Sequence, residues 1–361
     1  MVKILHTSDI HFGYELGSKI DPNTGLNLRI LDYFCTFDKL VDYAFENNID
    51  VFLIAGDVYK NRTPSLTLQR EFTKRLVRLV EGGKEVILLR GNHDTPFIVG
   101  KAHTLEIYNL LKHPKIHVAD SITTLTVCGI RFLTIPHNTL PVDELIKEIQ
   151  PHLSQKVIAV PHLLVEGAKA GPIDFVMDEP LAYSRSLFQY ENMMAVLLGD
   201  VHKFQVLQQQ PPIIYCGSME KVDFGEEKEQ KGFVVLTATP EEVLSWEFIP
   251  LQTRKYLTLD LNLTQNETVD ETDLEKQTKG AVVRIRATIK KGQKFDWVPT
   301  NAFHYTITKE IETGKEAVGD VKWNMPVQEG INEYFKDFED KEELVKLTVE
   351  LMGEIDESRG N

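Results

Sequence analysis

One pattern recurs through the first 250 residues and constrains the fold more than any other feature. A short apolar run, often β-branched, ends in small, acidic or histidine residues. Such runs are typical of strands that lead into functional loops. The runs cover 2–5, 51–54, 85–89, 130–135, 156–160, 194–198, 213–216 and 233–236. Helical patterns lie between several of them, at 28–47 and at 66–81, the second closed by Gly82 and Gly83. We therefore predict an α/β domain.

Polar clusters follow five of these apolar runs. In α/β folds, ligands bind where loops leave the carboxyl ends of parallel strands. The clusters are Asp9-Ile10-His11, Gly56-Asp57, Gly91-Asn92-His93-Asp94, His162 and Gly199-Asp200-Val201-His202. A triplet or pair of this kind is common by chance, as turn chemistry or as a histidine at a strand end. Five of them at the ends of strands predict a metal site.

The types of ligand restrict which metal such a site would bind. Carboxylate, imidazole and amide oxygen without thiolate suit manganese, magnesium, iron or zinc, and we expect two Mn²⁺ ions, with Mg²⁺ as the alternative. A pair of ions about 3.5 to 4 Å apart needs a bridging carboxylate. We assign Asp57 as the bridge. The remaining ligands are Asp9, His11 and His202 for one ion, and Asn92, His162 and Asp200 for the other.

His93 lies next to a predicted ligand but is not needed for either ion. We predict that it contacts the scissile phosphate or protonates the leaving oxygen, and that a water activated by the two metals attacks the phosphodiester. The histidines outside the clusters are predicted to be structural or solvated. Among these, His137 follows a strand in a loop that could approach the site.

The sequence changes character after residue 250. Leu257, Leu259, Leu261 and Leu263 alternate with polar residues, and a second alternation runs from Val283 to Ile289, which predicts half-buried strands of a small separate domain. The segment 313–324 reads as a linker. Beyond it, two stretches keep apolar residues at helical spacing. We predict a core domain at 1–250, a cap domain at 251–312, the linker at 313–324 and a helical segment at 325–357.

Charge and cysteine content limit the setting in which the chain works. The formal charge of −14 opposes nucleic-acid binding, but residues 325–361 contain eleven acidic and four basic side chains, which is half of that excess. Three widely spaced cysteines indicate neither a disulfide framework nor a thiolate zinc site. No apolar stretch approaches the roughly 18 residues of a membrane span. A reducing cytoplasm fits best.

The motifs resemble those of the calcineurin-like metallophosphoesterases, and within them the SbcD type of DNA double-strand-break repair nuclease. The resemblance rests on HTSDIHFG from His6, AGDVY from Ala55, HLLVEGA from His162 and CGSMEKVDFGEEKEQKGF from Cys216. The last is similar to that subfamily's S-x-E-x-x-D-F-x-E segment ahead of K-G-F. The protein-phosphatase branch carries G-D-x-x-D-R-G instead, whereas this chain has GDVYKNR.

The resemblance implies a fold, an activity and partners. The fold would be a β-sandwich flanked by helices, followed by a small α+β cap domain and C-terminal helices. The activity would be that of a manganese-dependent nuclease, with exonuclease action on duplex ends and endonuclease action on single strands or hairpins. The partners would be DNA, a second copy of the chain and an SbcC-type coiled-coil ATPase bound by the C-terminal helices. Basic residues of the cap, Arg284, Arg286, Lys290, Lys291 and Lys294, would contact phosphates or form a solvated face.

One position departs from the family pattern. Where the family has G-H-x-H, this chain has Gly199-Asp200-Val201-His202, so a carboxylate replaces one imidazole. Asp200 can still bind a hard divalent ion, although its added negative charge would favour manganese or magnesium over zinc. Two other functions stay open, a phosphodiesterase acting on small substrates and a DNA-end-binding scaffold with weak catalysis. A cap and two linked C-terminal helices favour the nuclease.

Overall fold

The computed structural model describes residues 1–98, 100–169, 182–264, 270–312, 327–336 and 340–358. The strands are β1 (Val2–Thr7), β2 (Val51–Ile54), β3 (Glu85–Leu89), β4 (Ile116–Ala119), β5 (Thr123–Val127), β6 (Ile130–Ile135), β7 (Val157–Pro161), β8 (Met193–Leu198), β9 (Gln205–Gln209), β10 (Pro212–Tyr215), β11 (Gly232–Ala238), β12 (Val243–Pro250), β13 (Tyr256–Asn262), β14 (Val282–Ile289) and β15 (His304–Ile311). The helices are α1 (Leu28–Glu46), α2 (Leu66–Glu81), α3 (Glu106–Leu110), α4 (Val142–Ile149), α5 (Glu271–Thr278), α6 (Val327–Tyr334) and α7 (Lys341–Ser358).

Two six-stranded mixed sheets form the body of the fold. The first has the order β12-β11-β1-β2-β3-β4, and the second has the order β5-β6-β7-β8-β10-β9. In the first sheet β1 to β4 run parallel, while β11 pairs antiparallel with both β1 and β12. In the second sheet β6, β7, β8 and β10 run parallel. Each sheet therefore gathers several strand carboxyl ends at one edge.

The two sheets pack face to face, and helices cover their outer faces. One apolar cluster joins Leu53 and Ile87 of the first sheet to Phe132, Ile158 and Leu197 of the second. A second cluster packs α1 and α2 on the first sheet, and a third packs α4 on the second sheet. This is a β-sandwich flanked by helices, and the predicted α/β class is confirmed.

Helix α2 begins and ends where its sequence predicts, and α1 begins at the predicted residue and ends one residue before the predicted Asn47. At α1 the side chain of Asn27 accepts a hydrogen bond from the backbone of Arg29, and at α2 the side chain of Ser65 accepts one from Leu68. Gly82 ends α2, donating to the carbonyl of Arg78. The sequence does not predict β4, β5, β9, β12 and β15, whose side chains are for the most part partly buried or exposed. Their patterns therefore lack a continuous apolar run.

The small sheet has the order β13-β14-β15. In β14, Val283, Ile285, Ala287 and Ile289 are buried while Arg286 is exposed, which confirms the predicted alternation. The fold divides into two compact units, one comprising Met1–Leu259, Thr272–Arg284 and Pro299–Thr306, the other Asp260–Glu271, Ile285–Val298 and Ile307–Asn361. The domain boundaries predicted at residues 250 and 312 stay predictions.

Helices α6 and α7 confirm the predicted helical pair. The predicted linker at 313–324 lies outside the described residues. Within the described part of the chain, no helix is both long and apolar enough to cross a membrane.

A histidine lies within the first sheet, on β1. His6 sits on β1 between Val234 of β11 and Leu53 of β2, and its side chain is fully buried. Burial lowers the pKa of His6 to about 3, because the charged imidazolium would lose its hydration. The folded protein therefore keeps this ring neutral across the physiological range.

We expect His6 to make folding stability depend on pH. Below its ordinary pKa of 6.5 the unfolded chain protonates His6, whereas the folded chain does so only near pH 3, so stability falls as the pH decreases through this window. Between pH 7 and pH 5 the loss from this group is about 2 kcal/mol. In urea unfolding with a chelator present, the free energy of unfolding of His6→Leu should fall between pH 7 and pH 5 by about 2 kcal/mol less than that of the wild type. His113→Gln is the control, and equal losses in the wild type and His6→Leu would contradict the expectation.

Candidate metal centre

The predicted ligands follow strands of both sheets. Asp9 and His11 follow β1, Asp57 follows β2, and Asn92 and His93 follow β3. From the second sheet, His162 follows β7, and Asp200 and His202 follow β8. Because all of these strands are parallel members of their sheets, their carboxyl ends deliver the side chains to the same edge. The structure brings all eight residues together.

Asp9, His11 and His202 form one group of potential ligands. One donor atom from each lies within 4.8 Å of the other two. The Nε2 atoms of His11 and His202 are 3.0 Å apart, and Nε2 of His11 is 3.7 Å from Oδ2 of Asp57. These are the residues that the sequence assigns to one ion.

His162, Asn92 and Asp200 form the second group. The Nε2 atom of His162 lies 3.0 Å from Oδ1 of Asn92 and 3.6 Å from Oδ1 of Asp200. It also lies 3.5 Å from Oδ1 of Asp57. One oxygen of Asp57 thus faces each group, which is the arrangement a bridging carboxylate requires.

His93 is fixed at the side of the first group. Its Nδ1 atom is 2.8 Å from the carbonyl oxygen of Lys60, so Nδ1 carries the proton and donates it. Its ring meets that of His11 edge to face at 4.9 Å, and its backbone N–H donates to Oδ1 of Asp57 at 2.9 Å. With Nδ1 occupied, Nε2 is the ring nitrogen that can exchange a proton with a substrate.

Glycines make room for the close approach of the loops. A Cβ atom on Gly56 would lie 2.1 Å from Nδ1 of His162, and one on Gly91 would lie 2.1 Å from Oδ1 of Asp57. Gly56 also has φ +101°, a conformation that side chains disfavour. The Gly-Asp and Gly-Asn pairs in the motifs are therefore steric requirements of the site.

Asp94 supports the site from behind. It is fully buried, and its Oδ2 atom accepts hydrogen bonds from the backbone N–H of Asp57 at 3.0 Å and of Gly91 at 3.1 Å. Its Oδ1 atom accepts one from the hydroxyl of Thr104 at 2.9 Å. Asp94 thereby ties the loop after β2 to the loop after β3. The sequence places it in a motif without indicating this role.

The site concentrates buried ionisable groups whose pKa values are shifted. Burial raises the pKa of Asp57 well above its ordinary value, although His162 opposes the shift. Burial also raises the pKa of Asp200. Burial disfavours the charged form of His162, but Asp57, then Asp200 and Asp9, raise its pKa to about 9. Protons are thus held where carboxylates crowd together, and divalent ions would displace them.

Two local features test whether metal ions fit this donor set. Oδ1 of Asp9 is buried and has no hydrogen-bond partner in the described part of the chain. The side-chain amide of Asn92 presents one atom to Nε2 of His162 at 3.0 Å and to the two oxygens of Asp57 at 3.1 and 2.9 Å. Its nitrogen could donate to the two Asp57 oxygens, whereas its oxygen faces those two acceptors favourably only with a cation between them. The residues fit a pair of divalent ions.

A cavity of about 660 Å³ opens beside the site. Asp200 of the second group and His202 of the first group line it. Lys203, Phe224 and Arg284 contribute to its lining. The guanidinium of Arg284 stacks on Phe224 at 4.4 Å and bonds to the hydroxyl of Thr258, so it is held by neighbours as well as facing the cavity. The exposed Lys290, Lys291 and Lys294 lie in the other compact unit.

His137 comes close to the site, as its loop position allowed. Its ring centroid lies 6.5 Å from that of His162, and burial, followed by His162, lowers its pKa to about 4. It is therefore a neutral neighbour. Glu226 contacts His202, which the sequence does not indicate even though both residues belong to the motifs.

Comparison with known proteins supports the family resemblance that the motifs indicate. The sequence profile of calcineurin-like phosphoesterases matches residues 2–204. A DNA double-strand break repair protein, Mre11 of Haloferax volcanii, is 26% identical over 273 residues, which cover 75% of this chain and 57% of that protein. The match thus spans little more than half of the relative.

Among solved structures, a dimetal phosphatase from Danio rerio superposes with a TM-score of 0.40 at 9% identity, covering 65% of this chain and 92% of the phosphatase. The family profile covers more than half of the chain, and the residues it spans include the strands and loops that bring the predicted ligands together. The chain belongs to the calcineurin-like phosphoesterase family.

Proposed function

We propose that this protein is a metal-dependent DNA nuclease. It would act as an exonuclease on duplex ends and as an endonuclease on single strands or hairpins. It would serve DNA repair, recombination or replication as the nuclease subunit of an SbcCD-type ATPase–nuclease complex, in a reducing compartment such as the cytoplasm. The observation that carries the proposal is that Asp57 presents one oxygen to each of two groups of metal-ligating side chains.

The residues divide into ligands and a proton donor. Asp9, His11 and His202 would hold one ion, Asn92, His162 and Asp200 would hold the other, and Asp57 would be shared by both. When bound there, two divalent ions would supply Lewis-acid stabilisation of the phosphoryl oxygens and would lower the pKa of a water for in-line attack. His93 is held at Nδ1 by the Lys60 carbonyl, and when Nε2 has also taken up a proton from solvent, the ring would pass that proton to the leaving oxygen of the cut strand.

The proposed metal is Mn²⁺, with Mg²⁺ as the alternative. Four of the seven ligands offer oxygen, from Asp9, Asp57, Asn92 and Asp200, and none offers thiolate. Oxygen-rich mixed sites suit manganese better than zinc, which favours nitrogen and sulfur in tetrahedral geometry. Asp200 in place of the family's histidine moves the balance further in this direction.

The proposed partners are DNA, a second copy of the chain and a coiled-coil ATPase. Support for the ATPase comes from α7, where Leu347 and Val349 are exposed apolar residues. Support for a homodimer comes from α3 and the residues around it. Ile107, Leu110 and Leu111 are exposed there, as are Leu66 at the start of α2 and Phe97 in the loop before α3.

We expect the wild type to cut labelled duplex and hairpin DNA when Mn²⁺ is present. His93→Ala should lower the rate by about 10²- to 10⁴-fold, because it removes a proton donor without removing a ligand. Gel assays of cleavage, run with Mn²⁺, Mg²⁺ or Zn²⁺ and with and without an ATPase partner, measure the effect, and His113→Ala is the control. Cleavage of a small phosphodiester but of no DNA would favour a small-substrate enzyme. DNA-end binding without cleavage would favour the scaffold.

Changes at Asp200 test the metal assignment. Asp200 has φ +93°, and Asn tolerates such backbone better than Ala, so Asp200→Asn removes the charge at least conformational cost. We expect about tenfold weaker binding of one of two Mn²⁺ ions in calorimetry, since one anionic ligand becomes neutral. Asp200→His should shift the preference toward Zn²⁺. If Asp200→Ala leaves stoichiometry and cleavage unchanged, Asp200 is not a ligand.

Oligomeric state tests the proposed homodimer. Leu110 is 71% exposed on α3, and Leu110→Glu would place a charge in a surface proposed to be buried between two copies. Light scattering after gel filtration should give a dimer for the wild type and a monomer for Leu110→Glu at the same concentration. Leu244→Glu, at a residue 45% exposed on β12, is the matched control and should stay dimeric. A monomeric wild type, or a dimer that survives Leu110→Glu, contradicts the assignment.

A further inference from the structure

The motif from Ser218 to Lys231 contributes no predicted ligand, yet it lies against one. Glu226 and Lys231 are both buried within it. We propose that Glu226 is a positioning residue that fixes the ring of His202 for metal binding, and that Lys231 holds Glu226 in place. This inference rests on the proposed metal site, and it goes beyond the family's ligand set.

The contact between Glu226 and His202 determines which ring nitrogen is available. Oε1 of Glu226 lies 2.8 Å from Nδ1 of His202. A carboxylate oxygen accepts a hydrogen bond, so Nδ1 carries the proton and Nε2 keeps its lone pair. Nε2 is the atom that faces Nε2 of His11 at 3.0 Å, within the first group of ligands. Glu226 thus selects the tautomer and the ring orientation that a metal requires.

Lys231 fixes Glu226 and His202 at the same time. Its ammonium lies 2.8 Å from Oε2 of Glu226 and 2.9 Å from the carbonyl oxygen of His202. It is also 2.9 Å from Oε2 of Glu229. Oε2 of Glu226 accepts a further hydrogen bond from the backbone of Val222 at 3.0 Å. Ring and backbone of His202 are therefore held by one buried cluster.

The turn that carries Glu226 is itself anchored on both sides. The side chain of Asp223 accepts a hydrogen bond from the backbone N–H of Gly225 at 2.7 Å, which caps the short 3-10 helix Phe224–Glu226. Glu227 accepts from the backbone N–H of Thr258 at 3.0 Å and from its hydroxyl at 2.6 Å. Glu226 therefore reaches His202 from a fixed backbone, as positioning of a ligand demands.

Stability alone is a poor explanation for this cluster. Desolvating a lysine and two carboxylates costs about as much as their attraction returns, and apolar residues of the same volume would stabilise the fold equally well or better. An apolar residue could not accept the proton of Nδ1 on His202. The chemistry of the cluster therefore points to the imidazole, and Glu226 belongs to none of the groups whose atoms converge as ligands among the described residues.

The test compares Mn²⁺ binding by the full chain in calorimetry. Glu226→Gln keeps the shape but loses the charged acceptor, and it should weaken the binding of one ion by about tenfold to a hundredfold. Glu229→Gln is the matched control: it removes the same charge from Lys231, but among the described residues Glu229 has no hydrogen bond or ion pair to a proposed ligand, so its Mn²⁺ affinity should stay within about threefold of the wild type. Circular dichroism and urea unfolding of each variant report whether the fold is kept.

Glu226→Asp separates positioning from charge. It keeps the carboxylate beside Lys231 but shortens the side chain by one methylene, so positioning predicts weakened Mn²⁺ binding here too, and this variant carries the test if Glu226→Gln does not fold. Wild-type affinity in the Glu226 variants, or equal losses in the Glu226 and Glu229 variants, would overturn the inference. A wild type that binds no Mn²⁺ would instead overturn the proposed function.

Discussion

The site depends on keeping the carboxylate of Asp57 buried between two groups of ligands. A carboxylate in that position is costly unless other groups compensate for its charge. The backbone of His93 donates to it, and His162 lies beside it as a cation in the absence of metal. The buried Asp9 and Asp94 add further negative charge nearby. Divalent ions are the counter-charge that suits this concentration of oxygen donors, because each can satisfy several of them at once.

Strained backbone brings the ligands to this point. Asp9, His11 and Asp57 all adopt positive φ angles near 50°, a conformation that costs about 1–2 kcal/mol for residues with a side chain. Hydrogen bonds between the two loops offset this cost. The backbone of Asp9 donates to the carbonyl of Gly56 at 3.1 Å, and that of His11 donates to the carbonyl of Asp57 at 3.0 Å. The loops after β1 and β2 therefore behave as one unit, and strain at the ligands is held by the sheet beneath them.

Much of this arrangement is predictable from the sequence, because the strands are buried on both faces and end in polar clusters. Continuous apolar runs reveal β1, β2, β3, β7 and β8, and the rule for parallel strands gathers their loops. Edge strands such as β9, with partly exposed Gln and Val, carry no such signal. Supporting contacts are equally hidden: Glu226 meets His202 across 24 residues of sequence, and only the folded chain shows which acidic residue of that segment reaches the ring. The same holds for Asp94, which acts through backbone groups.

Asp200 and the Glu226–Lys231 cluster act on two different proposed ligands, His162 and His202. Replacing an imidazole by the Asp200 carboxylate adds a negative charge beside His162, and this contributes to the raised pKa of His162. That proton must leave before Nε2 can bind a metal, so the stronger attraction for cations is partly cancelled by competition from protons. At His202, Glu226 occupies Nδ1 while Lys231 compensates its charge, so the ring is oriented without a further uncompensated negative charge beside the site. In the proposed site, charge at His162 and orientation at His202 are thus set by separate groups.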